Sequence, residues 1–351
     1  MERKKKSGQS LSDQIKAHSE KEPEKNKDYD GNNCFVSTGS TQLDLAISGG
    51  RTHNGGIPVG TLVEIFGPNS AGKTVLLCEI AGAVQRANGN VMFRDPESRL
   101  NKQFAQIFDM DTENIDYATA TTVPEVFSSV RSWEPQNKDA SIHCICADSL
   151  AALSTNLEME NEEGDKMGMR RAKEFSEELR KTCRILPENN FLMVCSNQVR
   201  ENTNAGPYGQ KYKSPGGEAL GFYASLRLRC NSPQKIREER TVAGKKVRRV
   251  TGVETEVEVH KSSVWKPYRT APIHIVYNYG IDDIRANLQF VKRYTGATTY
   301  IIRDEKLGQS VDDAITNVEK ANLEDELKEQ TIELWNEIEA KFDKKRKPKK
   351  R

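Results

Sequence analysis

The stretch that most constrains this chain is residues 61–74, TLVEIFGPNSAGKT. A short apolar run (Leu62, Val63, Ile65, Phe66) ends in Gly67, Pro68, Asn69, Ser70, Ala71, Gly72, Lys73 and Thr74, and a helix-like segment follows to Gln85. Strand, then G-x-x-x-x-G-K-T, then helix is the context a phosphate-binding loop requires. Glycines at both ends let the backbone curl so that successive N–H groups point at phosphates, and the helix adds its positive N-terminal end. In that reading Lys73 reaches the β and γ phosphates of a nucleotide and the Thr74 hydroxyl ligates Mg²⁺. The alternative is a Gly-rich turn that happens to precede a lysine.

The loop is followed by three more strand-like runs, each ending in a polar side chain suited to the same chemistry. Asn90 to Arg94 leads into Asp95, Pro96 and Glu97. A carboxylate there lies where the crevice of an open α/β sheet gathers reactive groups, so Glu97 is a candidate to orient the water that attacks the γ-phosphate. The same triplet could instead cap the next helix. Ile142 to Ala147 is capped by Asp148, an arrangement in which the carboxylate holds Mg²⁺ from its outer shell. Phe191 to Cys195 runs into Ser196, Asn197 and Gln198, whose amide is placed to sense the γ-phosphate. Strand–helix alternation predicts an α/β fold with a mainly parallel sheet, finished by later strands at residues 225–229, 256–259 and 272–277.

Two stretches, residues 158–171 and 200–217, are rich in Gly, Asn and charge and are predicted to be loops. They mix cations with stacking or wedging side chains: Lys166, Met167, Arg170 and Arg171 in the first, Arg200, Tyr208, Lys211, Tyr212 and Lys213 in the second. Cations bind phosphate nonspecifically and aromatic or apolar groups stack on bases, so both could contact nucleic acid, although isolated loops of this kind are more often solvated surface.

The 351 residues leave room for one large domain and a smaller one, and the net charge of +2 selects no class of partner. Seven cysteines without a C-x-x-C pair, mostly in apolar runs, predict a reducing compartment. The five histidines lack zinc spacing, so no protein-held transition metal is expected. No apolar run approaches membrane-spanning length, which predicts a soluble cytoplasmic protein. Residues 1–33 form a polar leader, predicted to be mobile or ordered only against a partner. Residues 231–254 hold a basic hairpin, with Lys235, Arg237, Arg240, Lys245, Lys246, Arg248 and Arg249 against Glu238 and Glu239; a solvated hairpin and a DNA contact are both open. Toward the C-terminus, Leu327, Leu334, Trp335, Ile338 and Phe342 recur at helical spacing, and the chain ends KKRKPKKR.

STGSTQLDLA, GPNSAGKT, DPES, ADSLAAL, GDKMGMRRAKEFSEELRK, SNQVR and PGGEALGFYASLRLR occur in this order. Each resembles the corresponding segment of the bacterial RecA recombinase family, and the similarity spans about residues 34–280. The resemblance implies a RecA-like ATPase core over residues 34–284, a small C-terminal α+β domain over 285–342 that receives duplex, and a basic tail over 343–351. It also implies an ATP- and Mg²⁺-dependent, homo-oligomeric helical filament that coats single-stranded DNA, pairs it with double-stranded DNA and exchanges strands. By the same resemblance Glu97 matches the catalytic glutamate, Asp148 the Mg²⁺-associated aspartate, Gln198 the γ-phosphate sensor and Phe104 an adenine-stacking tyrosine. Met167, Gly168 and the neighbouring cations match the first DNA loop; Arg200, Tyr208, Gly216 and Gly217 match the second. Phe222 matches a residue that couples neighbouring subunits, and Lys261 one of two lysines that cross to the neighbour's nucleotide.

The sequence departs from the family pattern at four places. Ser263 stands where the second crossing lysine is expected, Glu201, Asn202 and Thr203 replace the apolar wedge of the second loop, residues 1–33 have little of the apolar helix and strand by which family members add to the next subunit, and the terminal tail is basic where the family is acidic. A ring-forming DNA motor or helicase on the same core, and a noncatalytic mediator that coats single-stranded DNA, are the alternative functions.

Overall fold

A strand that is apolar at every position needs a layer of side chains on each of its faces. The computed structural model, which describes residues 34–108, 110–154, 167–198, 200–201, 212–213, 219–344 and 346, meets that need with a ten-stranded sheet between two apolar layers. The described chain opens with β1 (Phe35–Val36), α1 (Thr41–Ser48), β2 (Ile57–Pro58), β3 (Leu62–Gly67) and α2 (Lys73–Arg86). It continues through β4 (Val91–Arg94), α3 (Lys102–Ile107), β5 (Ile115–Ala118), α4 (Val123–Ser132), β6 (His143–Ala147) and α5 (Met167–Glu188). Next come β7 (Phe191–Gln198), β8 (Arg200–Glu201), β9 (Tyr212–Lys213), α6 (Ala219–Tyr223) and β10 (Leu226–Cys230). The sheet is finished by β11 (Gln234–Val242), β12 (Lys245–Ser262), β13 (Thr270–Val276) and β14 (Gly280–Ile281).

The strand order is β14-β13-β12-β10-β3-β7-β6-β4-β5, with β11 paired to β12 alone. From β10 to β5 every pairing is parallel, whereas β10, β12, β13 and β14 pair antiparallel. This is the mixed α/β architecture, with a mainly parallel centre, that the motif order predicts. Alternate residues feed opposite layers, as the two-residue period of a strand requires. Val63, Ile65, Val91, Phe93, Cys144 and Cys146 pack with Leu76, Leu77 and Ile80 of α2. Leu62, Met92, Ile145 and Met193 pack with Phe127 of α4 and Phe175 and Leu179 of α5.

Local signals set where these helices start. Thr122 and Glu125 cap α4 reciprocally, with the Thr122 hydroxyl accepting from the Glu125 amide and the Glu125 carboxylate accepting from the Thr122 amide. The Asp282 carboxylate accepts from the Arg285 amide at the start of α7 (Asp283–Thr295). Two loop expectations need correction. Residues 167–171 are the first turns of α5, because the good helix formers that follow, anchored by Phe175 and Leu179, carry the helix back through them. Within residues 200–217, Arg200–Glu201 pairs antiparallel with Tyr212–Lys213.

The remaining elements are β15 (Tyr300–Ile302), β16 (Glu305–Gly308), α8 (Val311–Ala321) and α9 (Glu324–Phe342). With α7 they enclose a cluster of their own, Leu288, Val291, Ile302, Leu307, Ala314, Val318 and Leu327. Arg269, just before β13, pairs with Glu339, and Asp283 accepts from the Thr41 amide of α1 at 2.8 Å, which ties these elements to the larger core. Phe342, expected on the apolar face of α9, is 78% exposed. Among the described residues no helix is long and apolar enough to cross a membrane.

Candidate functional site

β3, β4, β6 and β7 end side by side, so the polar residue after each apolar run is delivered to one cleft of about 520 Å³. Loop residues Asn69 to Thr74 form its floor. Gly67 cannot carry a side chain, since a Cβ there would lie 2.3 Å from the carbonyl oxygen of Cys230. Gly72 has a φ of +84° and N-caps α2, and a Cβ on it would strike Ile275 at 2.4 Å. Asn69, Ser70, Ala71, Gly72, Lys73 and Thr74 all line the cleft.

Lys73 Nζ donates to the carbonyls of Gly67 (3.1 Å) and Pro68 (2.7 Å), and burial lowers its pKa. Thr74 Oγ1 donates to Asp148 Oδ2 at 2.6 Å, and Ser196 Oγ donates to Asp148 Oδ1. Burial raises the pKa of Asp148, an effect these two hydrogen bonds oppose. A hydroxyl beside a carboxylate at the foot of a phosphate loop is a hard-oxygen donor set, the kind that fits Mg²⁺.

Glu97 lies at the mouth of the cleft. It accepts from Ser149 Oγ at 2.8 Å and Gln198 Nε2 at 3.3 Å, and pairs with Arg99 Nη1 at 2.6 Å. The two readings of the Asp95-Pro96-Glu97 triplet are divided between its carboxylates. Asp95 Oδ2 accepts from the Leu100 amide at 2.7 Å and from the Tyr117 hydroxyl at 3.1 Å, which shapes the turn, and Glu97 lines the cleft.

The far wall was not legible from sequence. Val253, Ile275 and Tyr277 line the cleft from β12, β13 and the residue after β13. No local motif announces them, because their proximity to the loop arises from β12 and β13 following β10, the neighbour of β3. Ser149 and Ser196 were detectable in principle as hydroxyls at strand ends, and Arg99 as a cation two residues past the carboxylate.

Lys261 is not among the residues lining the cleft of its own chain. Its Nζ donates to the carbonyls of Gly221 and Phe222, both at 2.9 Å, at the end of α6, and burial lowers its pKa. The Phe222 ring beside it is 76% exposed. Arg171 donates to the carbonyls of Leu150 (3.3 Å) and Ala151 (2.8 Å). Lys166, Tyr208, Lys211, Gly216 and Gly217 lie outside the described residues, as do the side chains of Phe104, Met167, Arg170, Arg200, Tyr212 and Lys213.

The basic hairpin is formed by β11 and β12, paired from Gln234↔Glu254 to Val242↔Lys245 around the two-residue tip Ala243-Gly244. Pairing to β13 begins only at Gly252, so the distal half of the hairpin stands clear of the sheet. Arg240 pairs with Glu238 and Lys246 with Glu239, while Arg237, Arg248 and Arg249 are exposed.

The parallel sheet, the loop with its lysine and threonine, and the convergent acidic strand ends define a P-loop NTPase. The model of the RecA N-terminal domain family matches residues 24–282. Curated relatives match over most of their length. The chain is 31% identical to "Protein RecA" of Acholeplasma laidlawii over 313 residues, 87% of this chain and 86% of the relative. It is 32% identical to "Protein RecA" of Thermus thermophilus over 312 residues, 86% of each. The chain belongs to the RecA recombinase family.

Proposed function

We propose that the chain is an ATP-dependent recombinase that polymerises on single-stranded DNA and promotes homologous pairing and strand exchange, with hydrolysis stimulated by DNA. The observation that carries the reading is Glu97 held by Ser149 and Gln198 over a cleft floored by Lys73 and Thr74. A carboxylate so held can accept a hydrogen bond from water while the loop fixes the phosphates.

In this reading Glu97 orients water for in-line attack on the γ-phosphorus. An oxygen–phosphorus bond forms, the bond to the ADP oxygen breaks, and the proton that the water loses passes by way of the Glu97 carboxylate to solvent, leaving inorganic phosphate. Lys73 and the backbone N–H groups of residues 69–74 stabilise charge on the phosphate oxygens. Thr74 and Asp148 would hold Mg²⁺, which supplies further positive charge to the β and γ oxygens. Phe104 and Tyr277 offer aromatic surfaces for the base, Tyr277 from the cleft wall.

Gln198 ends β7 and Arg200 opens β8, so a shift of the amide at the γ-phosphate is passed two residues on to the second DNA segment. Residues 158–171 and 200–217 contact single-stranded DNA. Residues 285–342 act as the small domain that receives duplex, and the basic tail adds nonspecific attraction. Phe222 is exposed where a neighbouring subunit would pack, and Lys261 serves that neighbour's nucleotide.

The test is the ATPase rate with and without single-stranded DNA, paired with negative-stain imaging of the same samples. DNA-stimulated hydrolysis on helical filaments is the expected result. Closed rings would point to a motor, and nucleotide binding with neither stimulation nor filaments would point to a mediator; either overturns the recombinase reading.

A further inference from the structure

We infer that Arg99 is a γ-phosphate ligand supplied by the same chain, one that exchanges its ion pair with Glu97 for the terminal phosphate of ATP. The inference rests on the reading of the cleft as an ATPase site.

The turn after β4 brings an acid and a base to one place. Ser98 adopts a left-handed conformation (φ 51°), and the Leu100 amide is fixed by Asp95, so Glu97 and Arg99 emerge on the same side and both line the cleft. Of the residues lining the cleft, Lys73 and Arg99 are the two cations. They are held differently. The Lys73 ammonium is bound to two loop carbonyls and its side chain is largely enclosed, whereas the Arg99 side chain is 74% exposed.

Exchange does not strand the carboxylate. When Arg99 leaves, Glu97 keeps its hydrogen bond from Ser149, so its charge is not abandoned in a half-buried site. The pair that is given up is solvent-exposed on the arginine side, and such pairs hold weakly. The partner gained is better. A terminal phosphate bears more charge than a carboxylate and offers several oxygens to the planar guanidinium, which binds such groups bidentately. Departure of Arg99 also uncovers Glu97 Oε2, the oxygen it occupies at 2.6 Å, for the attacking water. One movement therefore delivers positive charge to the transferring phosphoryl group and frees the acceptor that orients its nucleophile. Ser263, at the position of the second crossing lysine, removes one cation expected from the neighbouring subunit, and Arg99 offers one from within.

The experiment uses the full chain without DNA. Wild type, Arg99→Ala and Arg99→Lys are titrated calorimetrically with MgADP and with the magnesium complex of the β,γ-imido analogue of ATP, and steady-state ATPase rates are measured in parallel. Arg99→Ala is expected to lose about 10-fold or more in affinity for the triphosphate analogue, with MgADP affinity unchanged. Its hydrolysis should fall on the order of 10³-fold. Arg99→Lys, which keeps the charge without the planar fork, should recover part of each. An unchanged ratio of analogue to ADP affinity in Arg99→Ala overturns the assignment, whether hydrolysis stays level or rises. Wild type that binds neither nucleotide overturns the ATPase reading itself, and this inference with it.

Discussion

Thr74 Oγ1 and Asp148 Oδ2 are joined by a 2.6 Å hydrogen bond, so the first turn of the P-loop helix and the end of β6 meet at one carboxylate. Burial raises the Asp148 pKa, and Mg²⁺ needs the ionised form. Magnesium-dependent nucleotide affinity is therefore expected to fall as the pH drops, starting above the usual aspartate range. Asp148→Asn should weaken binding of the magnesium–nucleotide complex by about 10- to 100-fold. Nucleotide titrations with Mg²⁺ and with EDTA check this, since only the former should respond.

Glu97→Gln keeps the side-chain length and an oxygen that can accept from Ser149, but not the charge. It should bind nucleotide and DNA normally while hydrolysis drops by about 10²- to 10⁴-fold. Lys73→Ala should instead lose nucleotide binding or turnover. Measuring analogue affinity and turnover on both variants separates the two roles.

The P-loop and the strand ends at Glu97, Asp148 and Gln198 were legible because each is a local pattern: an apolar run followed within three residues by the polar side chain. Glu64, in contrast, looks from sequence like a polar intruder in the apolar strand β3. It is fully buried, and Asn197 and Arg227 reach it from β7 and β10, strands far away in sequence. Tyr277 escaped for the same reason, since strand order rather than spacing brings it to the cleft. The start of α5 was misread because Gly168 and the charges around it suggest a loop, whereas packing of Phe175 and Leu179 decides the matter.

Arg227 Nε donates to Glu64 Oε2 at 2.5 Å, and its guanidinium lies 4.6 Å from the Phe66 ring centroid. Arg227→Ala removes the guanidinium paired with the buried Glu64 carboxylate and should cost about 3–5 kcal/mol. Glu64→Gln in the same background should restore part of it, as chemical denaturation of the three variants would reveal.

Asp44 is buried, and desolvation lifts its pKa to about 7 against hydrogen bonds from Ser37 and Thr38; the neighbouring Asp283 pushes it the same way. A carboxyl raised in the fold binds its proton more tightly when folded. Its contribution is fully present below the unfolded value of 3.8 and is lost as the pH rises through about 7. The amount at stake is roughly 4 kcal/mol. Asp44→Asn should flatten this part of the profile, so that its stability relative to wild type increases between pH 5 and pH 8 in urea melts.

Removing residues 343–351 takes away seven cations and should weaken duplex binding, most visibly at low salt. The slope of log affinity against log salt should become shallower by about 0.9 for each tail cation that sits on a phosphate. An unchanged slope would mean the tail stays in solvent.

The hairpin of β11 and β12 has a further use. Its tip, Ala243-Gly244, stands beyond all other pairing, and a Cβ built on Gly244 meets nothing within 4 Å. Chain added there is carried outboard, and the entropic penalty of lengthening a loop grows only slowly with its size. A peptide tag or a dye-accepting sequence grafted between Ala243 and Gly244 would give each copy of the chain a beacon, one by which the proposed assembly could be followed a molecule at a time.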